Sequence, residues 1–275
     1  MLRSSFAAVL ALSAAAVGPA SGLAAPVAAQ GLAPHRAIYD IELKEASEQS
    51  GIESMRGRMV YEFNGSQCTG YTTSFRFVTE IESGEEVSVT DQQIKTFEDL
   101  VTRRFDFDSK SYTDDKLDKG VRGAAVVAGS GIKVELKEPA SRNVELADAK
   151  FPAAHMVDLI RQARKGARFF EARIFDGTED GDKSYLTTTI VGRLEASKGG
   201  DKTGIVEKTL AGASYWPVSI AYFDDKAIGD QLPVYTQSFK LYDNGVTRDL
   251  TLDYGDIVLS GRLAQLEMLE AAGCK

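Results

Sequence analysis

Two histidines and two cysteines in 275 residues leave almost no material for a metal site built on nitrogen and sulfur ligands, or for histidine-based nucleophile chemistry. Positive charge is also short: Lys and Arg total 32 against 40 Asp and Glu, for a net charge of −8. That is the wrong sign for a surface that holds nucleic acid by counterion release. Beyond the first thirty residues no apolar run approaches the roughly 20 residues of a membrane span. There is no Gly-x-x-x-x-Gly-Lys-Ser/Thr phosphate loop, no Gly-x-Gly-x-x-Gly, no Gly-x-Ser-x-Gly elbow and no His-Glu-x-x-His. No period of 20 to 50 residues repeats, which removes propellers and solenoids. Lacking these parts, the chain reads as a carrier, scaffold or binding protein with no cofactor and no metal.

The N-terminal segment differs from all that follows. Asp40 is the first acidic residue, only Arg3 and Arg36 are charged before it, and eleven alanines fall in the first 29 positions. Arg3 supplies a short positive region, residues 6–17 an apolar stretch, and Val27-Ala28-Ala29 small residues where a signal peptidase requires them. Residues 1–29 are therefore expected to be a secretory signal peptide, with Ala20-Ser21-Gly22 as a second cleavage point, and residues 30–275 a single β-rich periplasmic domain. The apolar stretch is too short for a permanent anchor, and no Cys follows the cleavage region to be acylated. In an oxidising compartment Cys68 and Cys274 form an even pair, and a disulfide between them is the natural inference. Two separate thiols and one intermolecular bridge remain open alternatives.

From His35 onward alternation with period two dominates. Tyr39, Ile41 and Leu43 alternate with charged residues, as do Met55, Met59, Tyr61 and Phe63, with Asn64-Gly65 expected to turn the chain. Gly57 inside that run predicts a bulge or a close backbone approach. Tyr71, Thr73, Phe75 and Phe77 continue the pattern. Further strands are expected over 87–97, 104–107, 132–137, 169–175, 184–194, 204–210, 214–223, 232–243, 247–254 and 256–268, with a hairpin at Asn244-Gly245. One helix interrupts them. Pro152 suits its first turn and Gly166 its stop, while Ala153, Met156, Val157, Ile160 and Ala163 share a face. The fold class is mainly β: one large, mostly antiparallel sheet, which must curl because twist accumulates across a dozen strands, with the helix on its concave face.

Few residues invite a chemical reading. His35 and His155 are each expected to be structural. Arg161, Arg164, Lys165 and Arg168 cluster at the helix end, either as an anion-binding patch or as charges that complement the helix dipole; the dipole suffices. Asp176-Gly177-Thr178-Glu179-Asp180-Gly181-Asp182 resembles the start of a calcium loop, but Thr187 stands at the twelfth position where the bidentate Glu belongs, which favours a hairpin turn. Tyr215-Trp216-Pro217, with the only Trp, either lines a ligand groove or packs in the core or at an edge; packing is favoured because aromatics are abundant in every strand. With 40 acidic residues, a paired-carboxylate hydrolase stays as a third-ranked possibility behind two non-catalytic ones.

Several segments, in order, resemble one family. Leu32-Ala33-Pro34-His35-Arg36-Ala37-Ile38-Tyr39 is followed by Gly57-Arg58-Met59-Val60-Tyr61-Glu62-Phe63 and Cys68, then by Phe151-Pro152-Ala153-Ala154-His155-Met156, Phe175-Asp176-Gly177 and Asn244-Gly245-Val246 before Cys274. The sequence resembles the cell envelope integrity proteins of the EipB type. That resemblance implies a soluble periplasmic protein with an open β-spiral or half-barrel, one or two helices near its concave face, and an internal disulfide mapping onto Cys68 and Cys274. It implies a role in envelope maintenance with no catalytic residues. The expected partner is a lipid, lipoprotein or peptide held in the concave face; the alternative is an interaction scaffold that contacts an envelope protein.

Overall fold

In the computed structural model the described residues are 31–197, 204–226, 229 and 231–274. The expected signal peptide lies outside them. Residues 31–275 form one compact unit built on a single open sheet of fifteen strands, antiparallel throughout. The first eight strands, β1 (His35–Ala46), β2 (Ser54–Ser66), β3 (Gly70–Ser83), β4 (Glu86–Asp99), β5 (Arg104–Thr113), β6 (Lys116–Ala128), β7 (Gly131–Glu138) and β8 (Arg142–Ala147), form one continuous meander. Helix α1 (Pro152–Arg164) follows. The chain then re-enters at the other end of the sheet through β9 (Phe169–Ile174), β10 (Tyr185–Val191), the short β11 (Glu195–Ala196), a one-turn helix α2 (Ile205–Thr209), β12 (Ser214–Asp224), β13 (Tyr235–Tyr242), β14 (Thr247–Asp253) and β15 (Ile257–Met268). Strands β15 and β1 pair, which joins the two meanders into one sheet.

The ends of the sheet approach each other through the segment after β8. Lys150 donates its backbone N–H to Arg173 O (2.8 Å) and accepts from the Phe175 N–H (3.0 Å), a parallel bridge to the end of β9. Two apolar clusters line the inner face. One gathers Tyr39, Met59, Phe63, Trp216, Ile220, Leu252 and Leu259 around Leu159 and Ile160 of α1. The other stacks Phe105, Phe107, Phe151 and Phe175 over Val121, Val134 and Leu136. On the outer face the alternation presents charge, as where Asp40 pairs with both Arg58 (3.0 Å) and Arg262 (2.7 Å).

Several boundaries differ from the sequence expectation. Asn64-Gly65 does not turn the chain: the β2–β3 ladder runs on to Ser66 opposite Gly70, so that Cys68 sits in the hairpin tip. Residues 205–209 form helix α2 instead of a strand, because Ile205 packs onto the sheet core and Leu210 packs with Tyr215 and Tyr242, contacts that override the β preference of Ile and Val. Strands β6 and β8 carry little periodic signal. The inner face of β6 is small because Phe107 fills the space, and a Cβ on Gly123 would stand 2.8 Å from its ring. Gly57 marks a close approach, since a Cβ there would lie 2.3 Å from Val78 O.

Candidate functional site

Helix α1 sits against the inner face through a buried carboxylate. Its N-cap residue, Phe151, has no side chain able to accept a hydrogen bond, so the first free amides of the helix need another partner. Glu98 at the end of β4 supplies it, accepting from the Ala153 N–H (2.6 Å) and the Ala154 N–H (2.8 Å). Desolvation pushes the Glu98 carboxyl up to about 7 against the opposing pull of those two amides. A second carboxylate, Asp158, is buried on the same helix and engaged by Lys150 and Arg161. His155 is buried too; desolvation and the nearby Lys150 lower it to about 4, and its Nε2 has no hydrogen-bond partner among the described residues. His35 is engaged by the fold: its Nδ1 bonds Ala33 O at 2.8 Å, and its ring packs against Tyr61 and Phe63.

The basic cluster at the end of α1 is largely used by the fold itself. Arg161 holds Asp158, Arg164 forks onto Asp243 (2.6 and 2.7 Å), and Arg168 bonds the Gly192 carbonyl. In the loop after β9, Asp176 accepts from the N–H (3.0 Å) and hydroxyl (2.7 Å) of Thr178, Asp180 pairs with Lys119 (2.9 Å), and Asp182 with Arg142 (2.8 Å). The loop thereby ties β10 to the edge of the first meander. Gly177 adopts φ +70, and a Cβ there would lie 2.5 Å from the Phe107 ring. Trp216 is buried in the core, and Lys240 lies 5.1 Å over the Tyr215 ring.

A part of the inner face that α1 leaves uncovered forms a cleft of about 320 Å³. It was not legible in the sequence, because its residues come from six strands and a turn. One wall is polar: Thr79, Thr90, Gln92, Ser111 and Thr113. The other is apolar: Met55, Phe77, Tyr254, Ile257 and Leu259. Register explains the polar wall, since Phe77, Gln92 and Ser111 stand directly opposite one another across β3, β4 and β5. Thr79 and Thr90 bond each other (2.6 Å), and Thr113 donates to Asp118 (2.6 Å). Behind Tyr254 the aromatic wall continues, with Tyr254 stacked on Tyr235 (centroids 6.0 Å) and Tyr235 on Tyr222 (4.2 Å). A larger depression of about 500 Å³ opens on the outer face, but its cations alternate with carboxylates in register, Lys95 opposite Asp108 and Asp108 opposite Arg122, which leaves little net charge to recruit a ligand.

Cys68 and Cys274 are bonded, with Cα atoms 5.5 Å apart, so the C-terminal tail is tied to the tip of the β2–β3 hairpin. No group of three or more His, Cys, Asp or Glu side chains among the described residues could hold a metal ion, and no described helix is long and apolar enough to cross a membrane.

The EipB-like family profile matches residues 26–270. The cell envelope integrity protein EipB of Brucella abortus is 45% identical over 251 residues, covering 91% of this chain and 89% of that protein. The crystal structure of a beta-barrel-like protein from Brucella abortus superposes with a TM-score of 0.84 at 45% identity, over 87% of this chain and 99% of the other. The chain belongs to the EipB-like family, whose curated relative is named for cell envelope integrity.

Proposed function

We propose that this protein works in the periplasm, after removal of residues 1–29, as a non-catalytic binding module that supports envelope integrity by holding a lipid, lipoprotein or peptide in the concave face of its sheet. The observation that carries this reading is the uncovered cleft, where an aromatic and aliphatic wall faces a wall of hydroxyls, an amide and the carboxylates of Asp91 and Asp118. Elsewhere the inner face is filled by α1 and by the two apolar clusters, so the ligand enters only part way. A pocket with a mainly apolar lining and a few convergent polar groups is the usual form of a small-ligand site.

Filling the cleft tests this reading. Ser111→Trp places an indole in the cavity from a half-buried strand position. In a strain lacking the native gene, the variant is expected to fold with an unchanged melting temperature yet fail to restore resistance to detergent or cell-wall stress. Full rescue by a folded Ser111→Trp protein would contradict the proposal.

The scaffold reading is favoured by a different observation. Phe169, Leu186 and Ile190 are exposed on β9 and β10 at one end of the sheet, with Ile190 directly opposite Phe169. Charge replacements there, such as Ile190→Lys, distinguish the two readings: they abolish rescue if this face docks a partner and leave it intact if the cleft is the working site.

A further inference from the structure

The polar wall of the cleft is neutral where it is free. Thr79 and Thr90 satisfy each other, and Thr113 is held by Asp118. The Gln92 carboxamide and the Ser111 hydroxyl, both half-buried and facing the cavity, make no hydrogen bond to any described part of the chain. A carboxamide offers one acceptor and two donors, and a hydroxyl both kinds, so the free groups match another amide, which presents N–H and C=O side by side. No Lys or Arg lines the cleft, whereas Asp91 and Asp118 do. A phosphate entering it would lose its hydration with no cation to replace it and with carboxylates nearby. Phe77 and Tyr254 flank the same space and provide rings for an apolar side chain.

We propose that the cleft takes an uncharged peptide segment, its backbone amide read by Gln92 and Ser111 and its apolar side chain received by Phe77 and Tyr254, and that it turns away anionic lipid headgroups. This inference rests on the reading of the cleft as the binding site and specifies its ligand.

The test is an NMR titration of the isotope-labelled exported protein with two probes, the blocked dipeptide N-acetyl-phenylalanyl-alaninamide and dihexanoyl phosphatidylglycerol below its micellar concentration. Expected are saturable shifts from the dipeptide confined to the central residues of β3–β5 and to Tyr254, with binding weakened roughly fivefold in Gln92→Ala, the loss of about one neutral hydrogen bond. Ser111→Ala serves as a second variant should Gln92→Ala fold poorly. Saturation of the same resonances by the phosphatidylglycerol and not by the dipeptide overturns the peptide assignment while leaving the cleft as the site. Dipeptide binding that both variants leave unchanged overturns the roles given to Gln92 and Ser111. Cleft resonances that respond to neither probe overturn the assignment and the binding-site reading together.

Discussion

The covered and uncovered parts of the inner face use their polar groups differently. Beneath α1 each buried carboxylate is engaged from another part of the chain: Glu98 of β4 holds two helix amides, and Asp158 is held by Lys150 and Arg161. In the cleft, Gln92 and Ser111 face open space without such partners. Buried polar groups in folded proteins are nearly always paired, so the two engaged carboxylates under the helix read as structure, and half-buried groups left open in a concavity read as groups waiting for a ligand. The comparison predicts that substitutions in the covered region damage stability, and that substitutions in the cleft damage binding alone.

The largest effect should come from the cross-link that ties the chain's last residues to the β2–β3 hairpin. Replacing Cys68 and Cys274 together by Ser opens a loop of sequence separation 206, for which chain entropy sets an upper bound of about 5 kcal/mol. Urea denaturation under oxidising conditions should show the loss, and adding reductant to the wild type should reproduce it. Next comes Leu159→Ala, which removes a fully buried side chain where α1 meets the sheet and should cost about 3 kcal/mol in the same assay. An effect under about 1 kcal/mol would show that α1 is not part of the core.

Glu98 and His155 sharpen the contrast through pH. The Glu98 carboxyl titrates near 7 in the fold against about 4.5 when free, so the folded state binds the proton more tightly, and this group's contribution to stability falls as pH rises from 4.5 to 7. His155 has the opposite sign: lowered to about 4, it withdraws stability as pH falls from 6.5 toward 4. The two slopes oppose each other in the wild type. Glu98→Gln removes one of them, so its stability should rise with pH between 4.5 and 6.5 more steeply than that of the wild type, by up to about 3 kcal/mol over the window. Parallel stability-versus-pH curves for the two proteins would contradict the assigned shifts. The smallest effect belongs to the cleft. Gln92→Ala should leave stability within about 0.5 kcal/mol of the wild type, because the side chain has no hydrogen-bond partner among the described residues.

The sequence made the strands legible where burial on one face forces alternation, as in β1–β3 and β12–β15, and made α1 legible through Pro152 and Gly166. It hid β6, whose inner positions are small because Phe105 and Phe107 from the preceding strand β5 occupy the space, and it misassigned α2, which Ile205 packed on the sheet core and Leu210 packed with Tyr215 and Tyr242 hold in place. The role of Glu98 depends on a partner 55 residues away in the chain. A local sign of it existed, since Phe151 at the N-cap position leaves amides in need of an acceptor, but nothing local says which carboxylate answers. The cleft was illegible for a related reason: Thr79, Gln92 and Ser111 are ordinary strand residues until register places them around one cavity.

If the uncovered cleft holds an envelope molecule, that molecule should stay bound through gentle purification. Native mass spectrometry of the protein purified from its own host, alongside the cleft-filling Ser111→Trp variant, tests this most directly. A bound mass is expected on the wild-type protein and should be missing from the equally folded variant. A wild-type protein that carries no bound mass, or one whose bound mass survives unchanged when the cleft is filled, would contradict it.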